Sequence, residues 1–397
     1  MTDVAARLAE LRDRGLYRRL RLIEGPQGPQ VLLAGKRVLL LCSNNYLGLA
    51  DHKLVREGAA EAAIYWGAGS GASRLISGNM EPHRQLESRL AHFKGYESGL
   101  LFGSGYLANT GTIAALAGKG EVVFSDELNH ASIIDGCRLS GAETFVYRHA
   151  DLEHLAWGLA EAGERAALVV SDGIFSMDGD VAPIAGLLEL ARSHGARLMI
   201  DEAHATGAIG PGGRGAVAAA GLSGEVDVIV GTLGKALGSY GAYVCADTEI
   251  VDYLVNRARP FVFSTALPPP SVGAAAAALD LLEAEPQRVE RLQANAAALR
   301  AGLRAEGLAA GRSETQIVPL EVGDAERTME LCELILERGV FAQGIRPPTV
   351  PEGSSRLRFT VMATHTADEL QDASRVVGAA AREIGLAASK PATARAS

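Results

Sequence analysis

The amino-acid sequence predicts an α/β protein, with a parallel or mixed sheet wrapped by helices and a smaller α+β domain after it. Two observations support this fold class. Between about residues 50 and 265, short β-branched runs alternate with Ala- and Leu-rich stretches of helical length. The chain also has 397 residues, of which 48% are hydrophobic, so it can bury a large core and divide into two lobes.

The first part of the chain, residues 1–48, is predicted to form an N-terminal arm. Apolar residues recur at helical spacing over residues 5–22, which indicates an amphipathic helix. After a Gly/Pro break, the stretch QVLLAGKRVLLL at 30–41 is typical of a short pair of strands.

The large domain, predicted at residues 49–268, carries the sheet. Its predicted strands are EVVFSD (121–126), ETFVYR (143–148), ALVVSDG (167–173), RLMIDEAH (197–204), VDVIVGT (226–232) and AYVCAD (242–247). The smaller domain, 269–386, is predicted to contain a long helix after three prolines, the strand QIVPLEV (316–322), a helix near 326–338 and the strand SRLRFTVM (355–362). Residues 387–397 lack apolar periodicity and are predicted to be disordered.

Charge and cysteine content exclude several classes of protein. A net charge of -9, without a basic patch in the sequence, argues against a nucleic-acid or membrane-surface protein. The cysteines lie far apart with no C-x-x-C pair, so neither a metal site nor a disulfide framework is predicted, and a reducing cytoplasm is favoured. No apolar run approaches the roughly 18 residues that a membrane span needs.

Polar side chains follow several predicted strands at the point where each strand ends. Asp201 and His204 follow RLMI, Thr232 and Lys235 follow VDVIV, Ser176 follows ALVVSDGIF, and His130 follows EVVF after a short loop. The carboxyl ends of strands are where functional groups gather in open α/β sheets. Each residue alone also has an ordinary structural interpretation: a solvated lysine, a helix-capping aspartate, or packed histidines.

The surroundings of Lys235 favour a chemical role. Gly231, Gly234 and Gly238 leave room for a ligand to approach the backbone. A partly desolvated lysine has a lowered pKa, and its neutral amine can form a Schiff base. A lysine imine, a buried carboxylate and a phosphate anchor are used together by pyridoxal phosphate, so the sequence predicts this cofactor.

Two alternative motifs fit the sequence poorly. The spelling DEAH at 201–204 occurs in NTPases, but such a protein needs G-x-x-x-x-G-K-[ST] upstream, whereas Lys235 lies downstream and Ala236 follows it. The glycine-rich stretch at 67–71 is spaced G-x-G-x-G and lacks the third glycine of a dinucleotide loop. A homologue that binds no cofactor and catalyses no reaction also remains an alternative.

The sequence resembles the α-oxoamine synthase family of fold-type I pyridoxal-phosphate enzymes over nearly its whole length. The motifs that carry the resemblance are SNNYLGLA, GSGASRLISGN, LNHASIIDG, DGIFSMDGD, DEAHATGAIG, GTLGKALG, FSTALPPP and IRPPTVPEGSSRLRFT. The resemblance implies a mixed, mostly parallel sheet in the large domain, and it implies roles for individual residues.

For the cofactor, the resemblance implies that Lys235 forms the Schiff base and Asp201 pairs with the pyridine nitrogen. His204 would pair with the phenolic oxygen, His130 would stack on the ring, and Ser176 would complete the shell. The implied phosphate contacts are Gly105, Tyr106 and Thr232, with Ser264 and Thr265 supplied by a partner subunit. A homodimer with its active site at the subunit interface is therefore implied.

For the substrates, the resemblance implies that Arg358, aided by Asn44, binds the amino-acid carboxylate, with Arg356 as a competing candidate. Thr349 and His130 would contact the substrate. An N-terminal arginine would meet the acyl group: Arg18, with Arg19 and Arg21 as competitors.

The implied reaction is a decarboxylative condensation of L-alanine with a pimeloyl thioester, on coenzyme A or acyl carrier protein, which gives 8-amino-7-oxononanoate for biotin synthesis. Lys235 would remove the Cα proton. The stretch IRPPTVP at 345–351 resembles the version in members that make this product. Members that use glycine, such as glycine C-acetyltransferase, or another acyl-CoA remain alternatives.

Overall fold

A computed structural model describes residues 3–311 and 313–386 of the chain. Over these residues the chain forms a seven-stranded sheet, a four-stranded sheet and a three-stranded sheet, with helices packed around them. The predicted α/β class with a mixed, mostly parallel sheet is confirmed. The predicted tail, 387–397, lies outside the described residues.

The strands are numbered in chain order. They are β1 (Ile23–Glu24), β2 (Gln30–Leu33), β3 (Lys36–Leu40), β4 (Ser98–Phe102), β5 (Val122–Asp126), β6 (Glu143–Tyr147), β7 (Ala166–Asp172), β8 (Arg197–Asp201), β9 (Val228–Thr232), β10 (Ala242–Ala246), β11 (Ile317–Gly323), β12 (Val340–Phe341), β13 (Gln343–Ile345) and β14 (Ser355–Thr360).

The helices are numbered in the same way. They are α1 (Val4–Asp13), α2 (Lys53–Trp66), α3 (Glu81–Lys94), α4 (Gly105–Leu116), α5 (Ala131–Ser140), α6 (Leu152–Ala162), α7 (Ile184–Ser193), α8 (Ala216–Ala219), α9 (Thr248–Arg257), α10 (Arg259–Val262), α11 (Pro269–Ala284), α12 (Gln287–Ala305), α13 (Ala325–Glu337) and α14 (Ala367–Glu383). A π-helical turn spans Arg74–Gly78.

The large sheet has the strand order β4-β10-β9-β8-β7-β5-β6. The strands from β9 to β6 run parallel, and β10 pairs antiparallel with both β9 and β4. All six strands predicted for this sheet are present. The prediction missed β4, because the short apolar run SGLLF cannot be told from a helical segment by periodicity alone.

The parallel strands bring their carboxyl ends to one edge of the sheet. Asp126, Asp172, Asp201 and Thr232 are the last residues of β5, β7, β8 and β9. Asp172 is the register partner of Asp201, and every residue of β5 is buried. The buried strands therefore hold this edge of the sheet in place, and the residues that follow each strand lie along it.

The two smaller sheets join distant parts of the chain. The four-stranded sheet has the order β1-β2-β3-β12, so the predicted strand pair of the arm adds a parallel strand from residues 340–341. The three-stranded sheet has the order β11-β14-β13, with every residue of β14 buried. The domain boundaries at residues 48, 268 and 386 stay predictions.

Two helix predictions differ from the structure. The predicted helix over 5–22 ends at Asp13, because Gly15 adopts a left-handed backbone conformation with φ of 65° and turns the chain away. The long helix expected after the three prolines is divided into α11 and α12 around Pro286, whose ring is incompatible with a helix interior.

Within residues 3–311 and 313–386, none of the helices has the length and apolarity to cross a membrane. The four cysteines are free thiols, and three of them are buried.

Candidate active site

Lys235 lies three residues after β9, with its amine buried against the carboxyl edge of the large sheet. Burial lowers the pKa of this amine from 10.5 to about 8, although the charges of Asp201 and Asp172 act in the opposite direction. The positive charge of Arg358 lowers the pKa further. The amine is therefore partly neutral near physiological pH, as a nucleophilic lysine must be.

The glycines around Lys235 serve packing more than ligand access. A Cβ on Gly231 would lie 2.2 Å from the ring of Tyr243, and one on Gly238 would lie 2.5 Å from the backbone nitrogen of Ala50. Gly238 also has a φ of 60°. At Gly234, by contrast, a Cβ would find no atom closer than 3.6 Å. The expected space for a ligand is thus present at Gly234 alone of these three.

His204 connects Lys235 to a buried chain of hydrogen bonds. Its Nε2 lies 2.8 Å from the Lys235 amine, and its Nδ1 lies 2.6 Å from the Tyr46 hydroxyl, which donates to the side-chain oxygen Oδ1 of Asn44 at 3.1 Å. Burial keeps the pKa of His204 well below its usual value, so the ring is neutral. Because Tyr46 donates onward, His204 carries its proton on Nδ1 and accepts from Lys235 at Nε2.

Asp201 and His130 are joined by an asparagine. The Asn109 amide nitrogen donates to Asp201 Oδ2 at 2.6 Å and to the Ser132 hydroxyl at 2.8 Å. The Ser132 hydroxyl lies 2.7 Å from His130 Nδ1, and the Ala203 backbone donates to Asp201 Oδ1 at 2.7 Å. Burial lowers the pKa of His130, which leaves a neutral ring with its proton on Nε2.

A second buried carboxylate, Asp172, lies beside Asp201. Its Oδ2 accepts from the His130 backbone at 2.8 Å. Burial, and then the charge of Asp201, raise the pKa of Asp172 well above its usual value. Two buried carboxyl groups at one sheet edge form an environment that favours a cationic partner.

Arg358 is aimed at the same region from β14. Its Nε donates to the backbone carbonyl of Ser176, and its Nη1 donates to the side-chain oxygen Oδ1 of Asn44 at 3.5 Å. Arg356 is instead paired with Asp178 and with a backbone carbonyl. Of the two arginines, Arg358 is therefore the one within reach of Lys235 and His204.

Three of the predicted phosphate contacts lie near helix α4 and β9. Gly105 and Tyr106 are the first two residues of α4, where backbone N–H groups have no helical acceptor and suit an anion. The Tyr106 hydroxyl donates to Asp135. The Thr232 hydroxyl donates to the Gly241 carbonyl at 3.0 Å and accepts from the Gly234 backbone at 3.1 Å.

Ser264 and Thr265 follow α10 and lie apart from this network. Thr265 is exposed and forms an isolated bridge with Ser73. Among the described residues, neither hydroxyl hydrogen-bonds to the groups around Lys235. Their predicted role therefore depends on a second copy of the chain.

Two adjoining cavities open beside the site. One of about 710 Å³ contains Asn129, His149, Asp178, Thr349 and Arg356 in its wall. The other, of about 970 Å³, extends to the N-terminal arm and contains Arg18, Thr349 and Arg346. Arg19 stacks near Tyr17 and Arg21 pairs with Glu333, so Arg18 is the predicted acyl contact whose side chain borders a cavity.

The residues present fit pyridoxal phosphate. The set contains a buried amine, two buried carboxyl groups, two neutral imidazoles and a helix N-terminus, arranged at one sheet edge. Three members escaped the sequence prediction: Asn109, Tyr46 and Asp172. Asn109 could have been noticed as an amide in the otherwise apolar helix stretch GYLANTGT, whereas the other two are recognisable only by their partners.

Known proteins are similar to this chain over nearly its whole length. The family model "Aminotransferase class I and II" matches residues 36–377. The 8-amino-7-oxononanoate synthase of Citrifermentans bemidjiense is 51% identical over 97% of this chain and 100% of its own length.

Solved structures are also similar to this chain over most of its length. A variant of the serine palmitoyltransferase of S. paucimobilis, solved with a PLP–myriocin aldimine, matches with a TM-score of 0.91 and 34% identity over 96% of this chain and 98% of its own. The 8-amino-7-oxononanoate synthase of Francisella tularensis matches with a TM-score of 0.76 and 28% identity, over 87% and 98%.

These likenesses confirm the predicted fold-type I architecture and do not favour the NTPase alternative. The family model, the full-length relatives and the solved structures each match most of the chain, and they indicate the same fold. The chain belongs to the 8-amino-7-oxononanoate synthase family, within the class I and II aminotransferases.

Proposed function

We propose that this chain binds pyridoxal 5′-phosphate and joins L-alanine to a pimeloyl thioester, with loss of carbon dioxide and free thiol, to make 8-amino-7-oxononanoate. One observation carries the proposal most strongly. A buried Lys235 amine with a pKa of about 8 contacts the neutral His204 beside Asp201 and Arg358. The names of full-length relatives that are about half identical support the product.

The cofactor would be held through residues of one sheet edge. Lys235 would bind its aldehyde carbon, Asp201 its ring nitrogen, His204 its phenolic oxygen, and Thr232 with the first turn of α4 its phosphate. His130 and Ser176 would border the ring. When bound, pyridoxal phosphate supplies an electron sink that stabilises negative charge at the amino-acid Cα.

Lys235 is proposed to take the Cα proton of the amino acid at Nζ. Its lowered pKa keeps a fraction of the amine unprotonated at neutral pH. The hydrogen bond to His204 Nε2 fixes the amine in place, and Tyr46 fixes His204 from the other side. Once Nζ carries the proton, the negative charge of Asp201 favours the ammonium form.

Arg358 is proposed to bind the substrate carboxylate, with Asn44 beside it. A guanidinium whose Nε is already fixed by a backbone carbonyl presents its remaining N–H groups in a defined direction. The proton on His130 Nε2 is free to donate toward the substrate, since Nδ1 is occupied by Ser132.

The acyl donor is proposed to lie along the two adjoining cavities, with Thr349 in the wall of both and Arg18 at the N-terminal end. Both coenzyme A and an acyl carrier protein are compatible with an opening at the N-terminal arm. Serine palmitoyltransferase is structurally similar, which makes a different acyl chain the second candidate.

We also propose that the active unit is a homodimer in the cytoplasm. Phe263 directly precedes Ser264, and Leu75 and Ile76 lie in the turn that follows Ser73, the bridge partner of Thr265. All three side chains are strongly exposed. Apolar surface of this kind marks association sites. A second copy covering it would bring Ser264 and Thr265 toward the neighbouring site.

The test is a spectral titration of the holoenzyme with L-alanine, glycine and L-serine, followed by pimeloyl-CoA and a thiol assay. We expect the imine band to respond to L-alanine at the lowest concentration, with thiol release afterwards. A response to glycine or serine alone, or no thiol release, would contradict the proposed substrates. A protein that shows no imine band with added cofactor would contradict the whole proposal.

A further inference from the structure

His149 lies in the wall of the 710 Å³ cavity but has no role in the binding of the cofactor or the amino acid as proposed above. It follows β6, and its ring is only one quarter exposed. Both ring nitrogens face carboxylates: Nδ1 lies 3.0 Å from Asp126 Oδ1, and Nε2 lies 2.8 Å from Asp180 Oδ2. These two hydrogen bonds raise the pKa of His149 to about 10, so the ring is a cation at neutral pH and donates from both nitrogens.

The first carboxylate belongs to the segment that leads to His130. Asp126 ends β5, and its oxygens also accept from the backbone of Leu128 at 2.9 Å and of Ala150 at 2.9 Å. Ala150 has a left-handed backbone with φ of 54°, which is uncommon for a residue other than glycine. Such strain persists only where surrounding contacts determine the conformation, and Asp126 supplies such a contact here.

The second carboxylate belongs to the loop that carries Ser176. The Asp180 carbonyl accepts from the Phe175 backbone at 3.0 Å, and the Phe175 ring meets the His149 ring edge-on at 4.4 Å. The next residue, Ser176, presents the carbonyl to which Arg358 donates. A continuous chain of contacts therefore runs from β5 through His149 to the arginine of the site.

We propose that His149 is a positioning residue for amino-acid binding. It ties Asp126 to Asp180, and so keeps the Phe175–Asp180 loop where the Ser176 carbonyl can orient Arg358. This inference rests on the proposed function, because it assigns Arg358 to the substrate carboxylate. It adds a residue that neither contacts the substrate carboxylate nor belongs to the cofactor shell.

The other charged groups near His149 are consistent with this role. Glu127 accepts from the His149 backbone at 2.8 Å, and Asp178 is engaged by Arg356. His149 is therefore the cation that pairs with Asp126 and Asp180. Without the cation, Asp126 and Asp180 would face each other across the gap with like charges, and the loop would be pushed outward.

The test compares His149→Gln, Asp180→Asn and the double variant as holoenzymes. We expect His149→Gln to weaken L-alanine binding about tenfold in a spectral titration, because one charge-assisted link is lost. The affinity for pyridoxal phosphate should change by less than about twofold, because neither residue belongs to the proposed cofactor shell. Asp180→Asn should have a similar effect, and the double variant should be no worse than either single variant, since all three break the same link.

His154→Gln is the matched control. His154 lies five residues further along and accepts from the Arg148 backbone at 3.0 Å, but it has no part in the wall of the cavity. We expect it to bind L-alanine like the wild type. If His149→Gln does not retain cofactor, Asp180→Asn, which preserves the shape of the side chain, carries the test.

Three results would overturn the inference: unchanged L-alanine binding in the variants, an equal loss of cofactor affinity in both single variants, or multiplying effects in the double variant. If the spectrum of the wild-type holoenzyme does not change with L-alanine, the proposed function is overturned, and this inference is overturned with it.

Discussion

Burial gives the Lys235 amine its chemical character. The apolar surroundings disfavour the ammonium form more than Asp201 and Asp172 favour it, which lowers the pKa to about 8. Below that pH most of the amine is protonated and unreactive, and above it most is neutral. The pH dependence of cofactor capture should therefore report this one group.

We predict that the rate of imine formation between the apoprotein and pyridoxal phosphate rises about tenfold per pH unit below pH 8 and levels off above it. The measurement is stopped-flow absorbance. Lys235→Arg, which remains protonated, should give no imine band. A rate that is constant between about pH 6 and 9 would contradict the lowered pKa.

The two arginines of β14 differ in what they contact, and this difference is testable. Arg358→Ala should raise the KM for L-alanine by about 30-fold or more, because a charged partner of the carboxylate is lost. Arg356→Ala is the control, since that arginine is engaged with Asp178, and its effect on the same KM should be smaller. Steady-state kinetics decide between them, and the reverse ranking would transfer the carboxylate site to Arg356.

Individual residues at strand ends were predictable, because parallel strands end at one edge. The structure brings Lys235, His204, Asp201 and His130 to that edge. Asn109 and Tyr46 were not predicted, because their importance lies in hydrogen bonds between elements far apart in sequence. The roles assigned to these residues remain predictions.

At the scale of elements, a buried ion pair fixes the segment that carries His204. Lys94, at the end of α3, pairs with Glu202 directly after β8. The Lys94 amine also donates to the Thr206 hydroxyl at 2.9 Å and the Arg214 carbonyl at 2.6 Å, while Glu202 Oε1 accepts from Val217 at 2.7 Å. These contacts give Glu202, the glutamate of the DEAH stretch, a structural role.

We predict that Lys94→Met lowers the free energy of unfolding by about 3–5 kcal/mol, since it leaves a buried carboxylate unpaired. Urea denaturation measures it. The control is Arg14→Met, which removes an exposed pair with Glu10 and should change stability by less than about 0.5 kcal/mol. Equal changes in both variants would contradict the structural role of the buried pair.

The elements also show where sequence patterns fail. The strands of the large sheet were predicted because their buried, β-branched runs are distinctive, and β4 was missed because SGLLF is not. The helix over 5–22 was predicted too long because Gly15 can adopt a conformation that hydrophobic periodicity does not register.

At the scale of the whole molecule, the apolar patch around Ile76 is predicted to hold two copies together. Ile76 is 81% exposed in the single chain. We expect Ile76→Asp to shift the mass in light scattering from twice that of the chain toward that of one chain, and to weaken cofactor binding. Val146→Asp, on the exposed edge strand β6, is the control and should remain dimeric. Dissociation of neither variant would place the interface elsewhere.

Proteins with this fold include enzymes named for different products. The chain matches a serine palmitoyltransferase with a TM-score of 0.91, whereas its full-length relatives at about half identity are named 8-amino-7-oxononanoate synthases. The step that we assign to Lys235, removal of the Cα proton, comes before the acyl donor reacts.

The most direct test of that claim is proton exchange at Cα of L-alanine in D2O, followed by NMR with the holoenzyme and no acyl donor. We predict that the wild type catalyses exchange of the Cα proton. Lys235→Ala reconstituted with cofactor should show no exchange above background. Exchange by Lys235→Ala at the wild-type rate would show that another group takes the proton, and would contradict the central claim.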